Sequence, residues 1–472
     1  MVKSFEHMTI SDARKALLSK EVSARELAES SLSVIKERDG EIHAFLEVYD
    51  DVLLQADKAD QALSEGKNGA LLGIPFAMKD NILIDGRKAS AASKILEGYT
   101  ATYDATVTKK LKESGAVFVG RTNMDEFAMG SSTENSAYGP TKNPIDTSRV
   151  PGGSSGGSAA SVAMGAVLAA LGTDTGGSVR QPASLCGLVG LKPTYGSVSR
   201  FGVIALGTSL DQVGPLTKNV DGPELLYSIL KGNDPRDSTS LPDSFYKTEK
   251  TPEQLTIGVP TDLLQDGIDP EVRKIFNEAV EKYKSLGATI KEVSLPNAHY
   301  ALSIYYIVLP AEVSSNLARY DGVRYGLHVD GKNLLEDYFN TRGVGFGPEP
   351  RRRIVLGTYI LSHGYYDAYY TKATALRSVL VNDFKTAFRD VDILITPTAP
   401  TPAFKLGEKT NNPLTMYLED IFTTPVSLSG VPAISIPAGV TKDKLPVGIQ
   451  LIAPHLREDL LFTAGKLFEK SL

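Results

Sequence analysis

The residues best suited to chemistry lie in two stretches rich in glycine and serine. The first, PGGSSGGS, runs from Pro151 to Ser158, and the second, GTDTGGSV, runs from Gly172 to Val179. Glycine pairs let another group approach the backbone closely, and amide groups at the start of a helix are unpaired donors that favour negative charge. A serine placed beside such donors, as Ser178 would be, either binds an anion or acts as a nucleophile next to an oxyanion hole.

A serine nucleophile needs a base, and the histidines offer no convincing one. The first stretch fits the G-x-S-x-G nucleophile elbow at Gly152 to Gly156, but no strand precedes it as that motif requires. Of the six histidines, His363 and His455 come latest in the chain, and neither follows a clear strand. A Ser-His-Asp hydrolase is therefore kept as an alternative with little support.

A lysine can replace histidine as the base, and Lys79 in GIPFAMKDNI is the best placed, near the end of an apolar strand. An exposed lysine has a pKa of about 10.4 and is protonated at neutral pH. Burial disfavours the charged form and can lower that value by several units. From this segment alone, a solvent-exposed lysine at a strand end remains the simpler interpretation.

The sequence shows no sign of a nucleotide or metal site. Gly172 to Ser178 has the spacing of a P-loop but lacks its lysine. The single cysteine, Cys186, and six scattered histidines have no metal-ligand spacing, so no metal is predicted. Cys186 lies among small apolar residues and is expected to be a buried structural thiol.

The composition indicates a globular protein of a reducing compartment. The 472 residues are 42% hydrophobic and 22% charged, with a net charge of −6, which argues against general nucleic-acid binding through this chain. A lone cysteine rules out an internal disulfide. We find no signal peptide and no membrane span, and expect a cytoplasmic protein.

Hydrophobic periodicity predicts alternating helices and strands around these motifs. Helices are expected over 11–20, with Ser11 in the N-cap region, and over 23–38, with Ser23 in that role. A loop covers 130–158, a helix starts near Ser158, and helices dominate 300–390. Polar residues 231–254 are expected to form a surface connection, and a final helix closes the chain. Strands are expected within 71–82, 115–123, 166–171, 255–260, 288–295, 391–400, 431–439 and 446–454.

Together, these segments resemble the amidase signature family. Its motif matches Pro151 to Arg200, a stretch far longer than any short pattern, and its lysine-bearing strand matches GIPFAMKDNI. The resemblance implies that Ser178 is the nucleophile, Lys79 the base and Ser154 a bridging serine that follows a cis peptide bond from Gly153. It therefore overrides the simpler interpretation of Lys79.

The resemblance also implies the fold: one α/β/α domain around a central mixed sheet, spanning 1–472. Residues 1–65 would form N-terminal helices, 66–230 the signature core, and 255–472 an α/β part that completes the sheet. The late strands are expected to return to the sheet that the early strands begin.

Within the family, the chain resembles the glutaminase subunits of tRNA-dependent amidotransferases. The stretches SSNLARYDGVRYG, GFGPEPRRRIVLGTYILSHGYYDAYY and NPLTMYLEDIFTTPVSLSGVPAISIPAG carry this likeness. It implies glutamine hydrolysis through a Ser-Ser-Lys triad, with ammonia passing through a channel to a B subunit. That subunit would bind tRNA and use ATP and Mg to convert Glu-tRNA(Gln) to Gln-tRNA(Gln), with a small C subunit positioned where the two larger ones meet. No cofactor is expected in this chain.

The same likeness suggests how glutamine would be held. The backbone N–H groups of Thr175, Gly176, Gly177 and Ser178 would form the oxyanion hole. A guanidinium suits the substrate α-carboxylate and a carboxylate suits its α-ammonium.

The resemblance places Arg353 and Asp420 in those two roles and Tyr305 as a hydroxyl contact, although Arg352 is an alternative to Arg353. A free-standing amidase acting on another carboxamide is the second hypothesis for the whole chain. An inactive scaffold is a third.

Overall fold

Strands from both halves of the chain join in one eleven-stranded mixed sheet. The computed structural model describes residues 7–246, 252, 254–264 and 267–471. Its strands are β1 Phe45–Val48, β2 Pro75–Lys79, β3 Val117–Thr122, β4 Ala169–Asp174, β5 Val189–Lys192, β6 Gln212–Thr217, β7 Thr256–Pro260, β8 Thr289–Val293, β9 Ile393–Pro397, β10 Ala433–Val440 and β11 Pro446–Ile452.

The strand order is β1-β3-β2-β4-β6-β5-β10-β11-β9-β7-β8. Strand β2 lies parallel to β3 and β4, and β7 lies parallel to β8 and β9, whereas the other neighbours are antiparallel. The late strands β10 and β11 pair between β5 and β9, so they do return to the sheet begun early in the chain.

Helices cover both faces of this sheet. Successive side chains of a strand point to opposite faces. On β9, Ile393 and Ile395 belong to the larger apolar core and Leu394 to a second one, and β11 divides Leu451 from Ile452 in the same way. The two cores form the layers on either side of the sheet, which confirms the predicted α/β/α fold class.

The helices have these bounds: α1 Ile10–Leu18, α2 Ala24–Ile42, α3 Val52–Ser64, α4 Thr106–Glu113, α5 Gly156–Ala163, α6 Arg180–Leu185, α7 Asp221–Leu230, α8 Pro270–Ser285, α9 Ala301–Asn316, α10 Leu334–Gly345, α11 Pro348–Ile360, α12 Lys372–Ala387, α13 Pro413–Tyr417, α14 Thr424–Ser429 and α15 Glu458–Glu469. The helix-rich stretch predicted over 300–390 and the final helix are confirmed. Within the described part of the chain, no helix combines the length and apolar character that a membrane crossing needs.

The predicted cap of the first helix is wrong. Helix α1 begins at Ile10 and is capped by Thr9, whose hydroxyl accepts the Asp12 N–H, so Ser11 lies inside the helix. Ser23 does cap α2, in a capping box in which its side chain accepts from the Glu26 N–H.

Other boundaries shift by a few residues. Helix α5 begins at Gly156 and not near Ser158, and the strand predicted over 166–171 is β4, which runs from Ala169 to Asp174. Strands β1, β5 and β6 were not predicted. The predicted connection 231–254 lies partly outside the described residues.

Candidate active site

Lys79 ends strand β2 with its side chain among hydroxyl groups. Its Nζ donates to Ser154 Oγ and to Ser155 Oγ, each at 2.8 Å, and to Thr173 Oγ1 at 2.9 Å. The parallel pairing of β2 with β4 brings Thr173 beside the lysine. The sheet therefore joins the lysine segment and both glycine-serine stretches at one point.

Burial makes the neutral form of Lys79 accessible near neutral pH. The side chain is fully buried, and this burial lowers its pKa to about 7, against the opposing charges of Asp125, Asp174 and Asp211. Burial lowers the pKa of a second lysine, Lys192, to about 7 as well, but its Nζ donates to the Pro193 carbonyl oxygen instead. Contact with a serine hydroxyl is what distinguishes Lys79 as a base.

Three hydrogen bonds fix the loop that contains Ser154. The Gly153–Ser154 peptide bond is cis, as the family resemblance implies. Thr133 Oγ1 donates to the Gly152 carbonyl oxygen at 2.8 Å, and Gln181 Oε1 accepts the Gly153 N–H at 3.0 Å. The Asp125 N–H donates to the Ser154 carbonyl oxygen at 3.2 Å. These contacts fix the hydroxyl of Ser154 toward Lys79.

The glycines before Ser178 are required by close neighbours. A Cβ on Gly176 would lie 2.7 Å from Tyr305 Oη, and one on Gly177 would lie 2.3 Å from Thr423 Oγ1. Gly177 also has a φ of +151°, which side-chain-bearing residues rarely adopt. Among the residues that the structure describes, no protein acceptor takes the N–H groups of Gly176, Gly177 or Ser178. These donors are available to an oxyanion.

A buried ion pair between Asp174 and Arg180 stabilises the loop that carries the N–H donors at 176–178. Arg180 Nη2 lies 2.8 Å from Asp174 Oδ1, and Asp174 Oδ2 also accepts the N–H groups of Val179 and Arg180. Gln450 and Ser427 accept further hydrogen bonds from the guanidinium. Burial would raise the pKa of Asp174, but Arg180 outweighs it and the pKa lies below its usual value. The loop is thus anchored by a carboxylate that stays ionised.

Ser178 contacts the hydroxyl cluster around Lys79 through its backbone. The Ser155 N–H donates to the Ser178 carbonyl oxygen at 3.2 Å. In the described part of the chain, no hydrogen bond links the Ser178 and Ser154 hydroxyls. Such bonds often tighten only when substrate is bound. Ser178 retains 7% exposure, more than the fully buried Lys79 and Ser154, so it is the member of the group that solvent reaches.

Arg353 and Asp420 are both buried on the side of the site where Tyr305 lies. Arg353 is 4% exposed on α11, and its Nε donates to Glu349 Oε1 at 2.7 Å. Over the described residues, its two terminal nitrogens have no protein acceptor. Asp420 Oδ2 accepts from Ser131 Oγ at 2.7 Å, and burial raises the pKa of this carboxyl to about 7. Arg353 and Asp420 each also perturb the pKa of Tyr305, which burial raises.

The structure separates the two candidate arginines. The Arg352 side chain is 49% exposed and forms an ion pair with Glu349, whereas the Arg353 side chain is 5% exposed. The Arg353 guanidinium lies 5.1 Å from the Tyr306 ring centre and 5.3 Å from that of Tyr417. Of these two arginines, Arg353 is the one positioned to bind the carboxylate of a buried ligand.

Sequence reasoning missed several groups that touch the candidate residues. They are Ser155 and Thr173 at the lysine, Asp125 at the serine loop, Asp174 and Arg180 under the donor loop, Thr423 beside Gly177, and Ser131 at Asp420. Ser155, Thr173 and Asp174 stand inside the two motifs, so position in the motif was the one available signal. No group of three or more His, Cys, Asp and Glu side chains in the described residues could hold a metal.

The chain belongs to the amidase family, whose model, described as Amidase, matches residues 26–462. It is similar to the A subunit of glutamyl-tRNA(Gln) amidotransferase from Cyanothece sp. (strain PCC 7425 / ATCC 29141), at 50% identity over 470 residues, 98% of each chain. The same protein of Moorella thermoacetica is 50% identical over 98% of this chain and 96% of that one. The crystal structure of its counterpart from Thermotoga maritima matches at 44% identity with a TM-score of 0.82, covering 99% of this chain and 95% of that one.

Proposed function

We propose that this chain is the glutaminase subunit of a tRNA-dependent amidotransferase. One observation carries the proposal: a buried lysine with a lowered pKa contacts a serine hydroxyl, beside a loop whose N–H groups at 176–178 have no protein acceptor in the described part of the chain. Amide hydrolysis needs a base, a nucleophile and an oxyanion site close together. The full-length similarity to proteins named as the A subunit of glutamyl-tRNA(Gln) amidotransferase supports glutamine as the amide.

In the proposed reaction, neutral Lys79 accepts a proton from Ser154, and Ser154 takes one from Ser178 Oγ. The Ser178 oxygen bonds to the side-chain amide carbon of glutamine, and the resulting oxyanion accepts hydrogen bonds from the backbone N–H groups of Thr175 to Ser178. Loss of one such donor typically costs about 2.7–4 kcal/mol of transition-state stabilisation. The proton returns through Ser154 to the nitrogen, ammonia leaves, and water then releases glutamate from Ser178.

Arg353 and Asp420 would hold the other end of the substrate. The two terminal nitrogens of Arg353 form a planar fork that suits the α-carboxylate. Asp420 suits the α-ammonium, and the positive charge of the substrate would favour its ionised form. Tyr305, whose hydroxyl lies against Gly176, would close the space between this pair and the oxyanion donors.

The product ammonia would pass to partner proteins. We propose a B subunit that binds tRNA and uses ATP and Mg to convert Glu-tRNA(Gln) to Gln-tRNA(Gln), and a small C subunit positioned where the two larger ones meet. This chain would need no cofactor of its own, since its proton transfers use only Lys79 and serine hydroxyls. The site of action would be the cytoplasm.

Ser178→Ala tests the proposed division of labour. The substitution removes a hydroxyl without changing the packing, so the fold should persist while glutamine hydrolysis is abolished. With ammonium supplied, the assembled complex carrying this variant should still form Gln-tRNA(Gln), because amidation would occur in the partner. Ser158→Ala, which removes a buried hydroxyl elsewhere in the same motif, is the matched control.

Two results would contradict the proposal. Substantial glutaminase turnover by Ser178→Ala would show that Ser178 is not the nucleophile. Failure of ammonium-dependent amidation in a complex shown to be assembled would contradict the partner role. Purification of the chain without partners, together with turnover of simple carboxamides, would favour the free-standing amidase.

A further inference from the structure

The nitrogen of Lys79 is surrounded by three hydroxyl oxygens. Ser154 Oγ and Ser155 Oγ lie at 2.8 Å and Thr173 Oγ1 at 2.9 Å, while the Thr173 carbonyl oxygen is farther away at 3.3 Å. A protonated lysine has three N–H donors and no acceptor. The three hydroxyls therefore match the charged form of the base, one acceptor for each proton.

The hydroxyl of Thr173 is fixed in this position by a second side chain. Asn81 Nδ2 donates to Thr173 Oγ1 at 3.0 Å, and both residues are buried, at 3% and 1% exposure. Asn81 is itself anchored, because its main-chain carbonyl oxygen accepts the Ile204 N–H at 2.8 Å. A hydroxyl has two lone pairs, so Thr173 can accept from Asn81 and from Lys79 at the same time.

We infer that Thr173 is a positioning residue whose hydroxyl stabilises the ammonium form of Lys79 after the lysine accepts the proton from Ser154. The inference rests on the proposed function, since it assigns Thr173 a part in that proton transfer. Charge that develops during a reaction is best stabilised by dipoles already in place. Thr173, held by Asn81, is such a dipole.

Removal of the Thr173 hydroxyl has a defined consequence. One N–H of the ammonium would keep only the Thr173 carbonyl oxygen, which also accepts from Ser155 Oγ at 3.2 Å. The charged form of Lys79 would lose more hydrogen-bond stabilisation than the neutral form, so the pKa of Lys79 would fall. Other charges acting on Lys79, those of Asp125, Asp174 and Asp211, would be unchanged. A weaker base would also accept the proton more slowly.

The test uses the full-length chain and a fluorophosphonate probe, which needs no partner protein. Ser178 Oγ would bond to phosphorus, fluoride would leave, and the serine proton would pass through Ser154 to Lys79. The rate of labelling is measured against pH, and the labelled residue is identified by mass spectrometry. For Thr173→Val we expect the acidic limb of the curve of labelling rate against pH to move down by about one pH unit. The plateau of the labelling rate should fall by up to about tenfold.

Matched variants separate this role from general destabilisation. Thr173→Ser keeps the hydroxyl and should behave as the parent. Thr122→Val removes an equally buried threonine hydroxyl that contacts Ser158 and not the lysine, so the limb should stay in place. Should Thr173→Val fail to fold, Thr173→Ala serves the same purpose.

The outcomes are distinct. An unmoved limb in a folded Thr173→Val or Thr173→Ala variant, or an equal shift in Thr122→Val, would overturn the inference. Absence of Ser178 labelling in the parent protein would instead overturn the proposed function.

Discussion

Arg353→Lys is the most informative perturbation of the candidate substrate site. Arg353 is buried, its Nε is bound to Glu349, and among the described residues its terminal nitrogens have no protein acceptor. A lysine keeps the positive charge, but its single ammonium cannot bind Glu349 and also present two parallel N–H groups. The substitution should therefore remove at least one of the two hydrogen bonds to the α-carboxylate of glutamine.

The expected rise in KM follows from the number of hydrogen bonds lost. A hydrogen bond to a charged group contributes about 1.5–3 kcal/mol, and about 1.36 kcal/mol corresponds to a factor of ten. The KM for glutamine should rise about 10- to 150-fold. The value of kcat should change little, because the reacting amide is at the other end of the substrate.

Glutaminase kinetics with two substrates provide the assay. Glutamine α-amide lacks the carboxylate, so it should be a poor substrate of the parent enzyme and should lose little more in Arg353→Lys. Arg352→Lys is the matched control, since Arg352 is half-exposed and contacts the same Glu349. Equal losses for glutamine and its α-amide, or an equal effect in Arg352→Lys, would refute the carboxylate role of Arg353.

Two further predictions concern titrating groups. Lys79→Arg should lower the glutaminase rate at neutral pH at least about 100-fold, because a guanidinium cannot release its proton to act as a base; near-normal rates would make the lysine structural. Asp420, whose raised pKa is about 7, must be ionised to bind the substrate ammonium. Calorimetry on the inactive Ser178→Ala variant should therefore show the Kd for glutamine rising as pH falls below about 7. Asp420→Asn should bind weakly at every pH, and an unchanged dependence in that variant would assign the titration elsewhere.

The sequence predicted the fold class and the segments that meet at the candidate site, because the family resemblance covers them. It could not decide between Arg352 and Arg353. Adjacent helical residues point in different directions, and which direction is buried depends on how α11 packs against α9. Strand β6, QVGPLT, was missed because glycine and proline break its strand pattern.

The roles of Ser155 and Thr173 could not be predicted for a different reason. Each contacts Lys79 only because β2, β4 and the serine loop converge in space, although they are far apart in sequence. Local periodicity carries no information about such contacts. The burial of Lys79, which lowers its pKa, likewise could not be predicted from the strand alone.

The position of the last two strands affects how the chain can be made. Strands β10 and β11 fill the middle of the sheet, where Ala433 pairs with Lys192 and Ile452 pairs with Leu394. During synthesis on a ribosome, the strands that carry Lys79 and Thr173 therefore emerge long before the central strands that join them to β9. Until then the nascent chain presents unpaired edges at β5 and β9, and such edges invite association with other chains. The stage of translation at which this chain is most exposed to such association is therefore the last one, before β10 and β11 have been added.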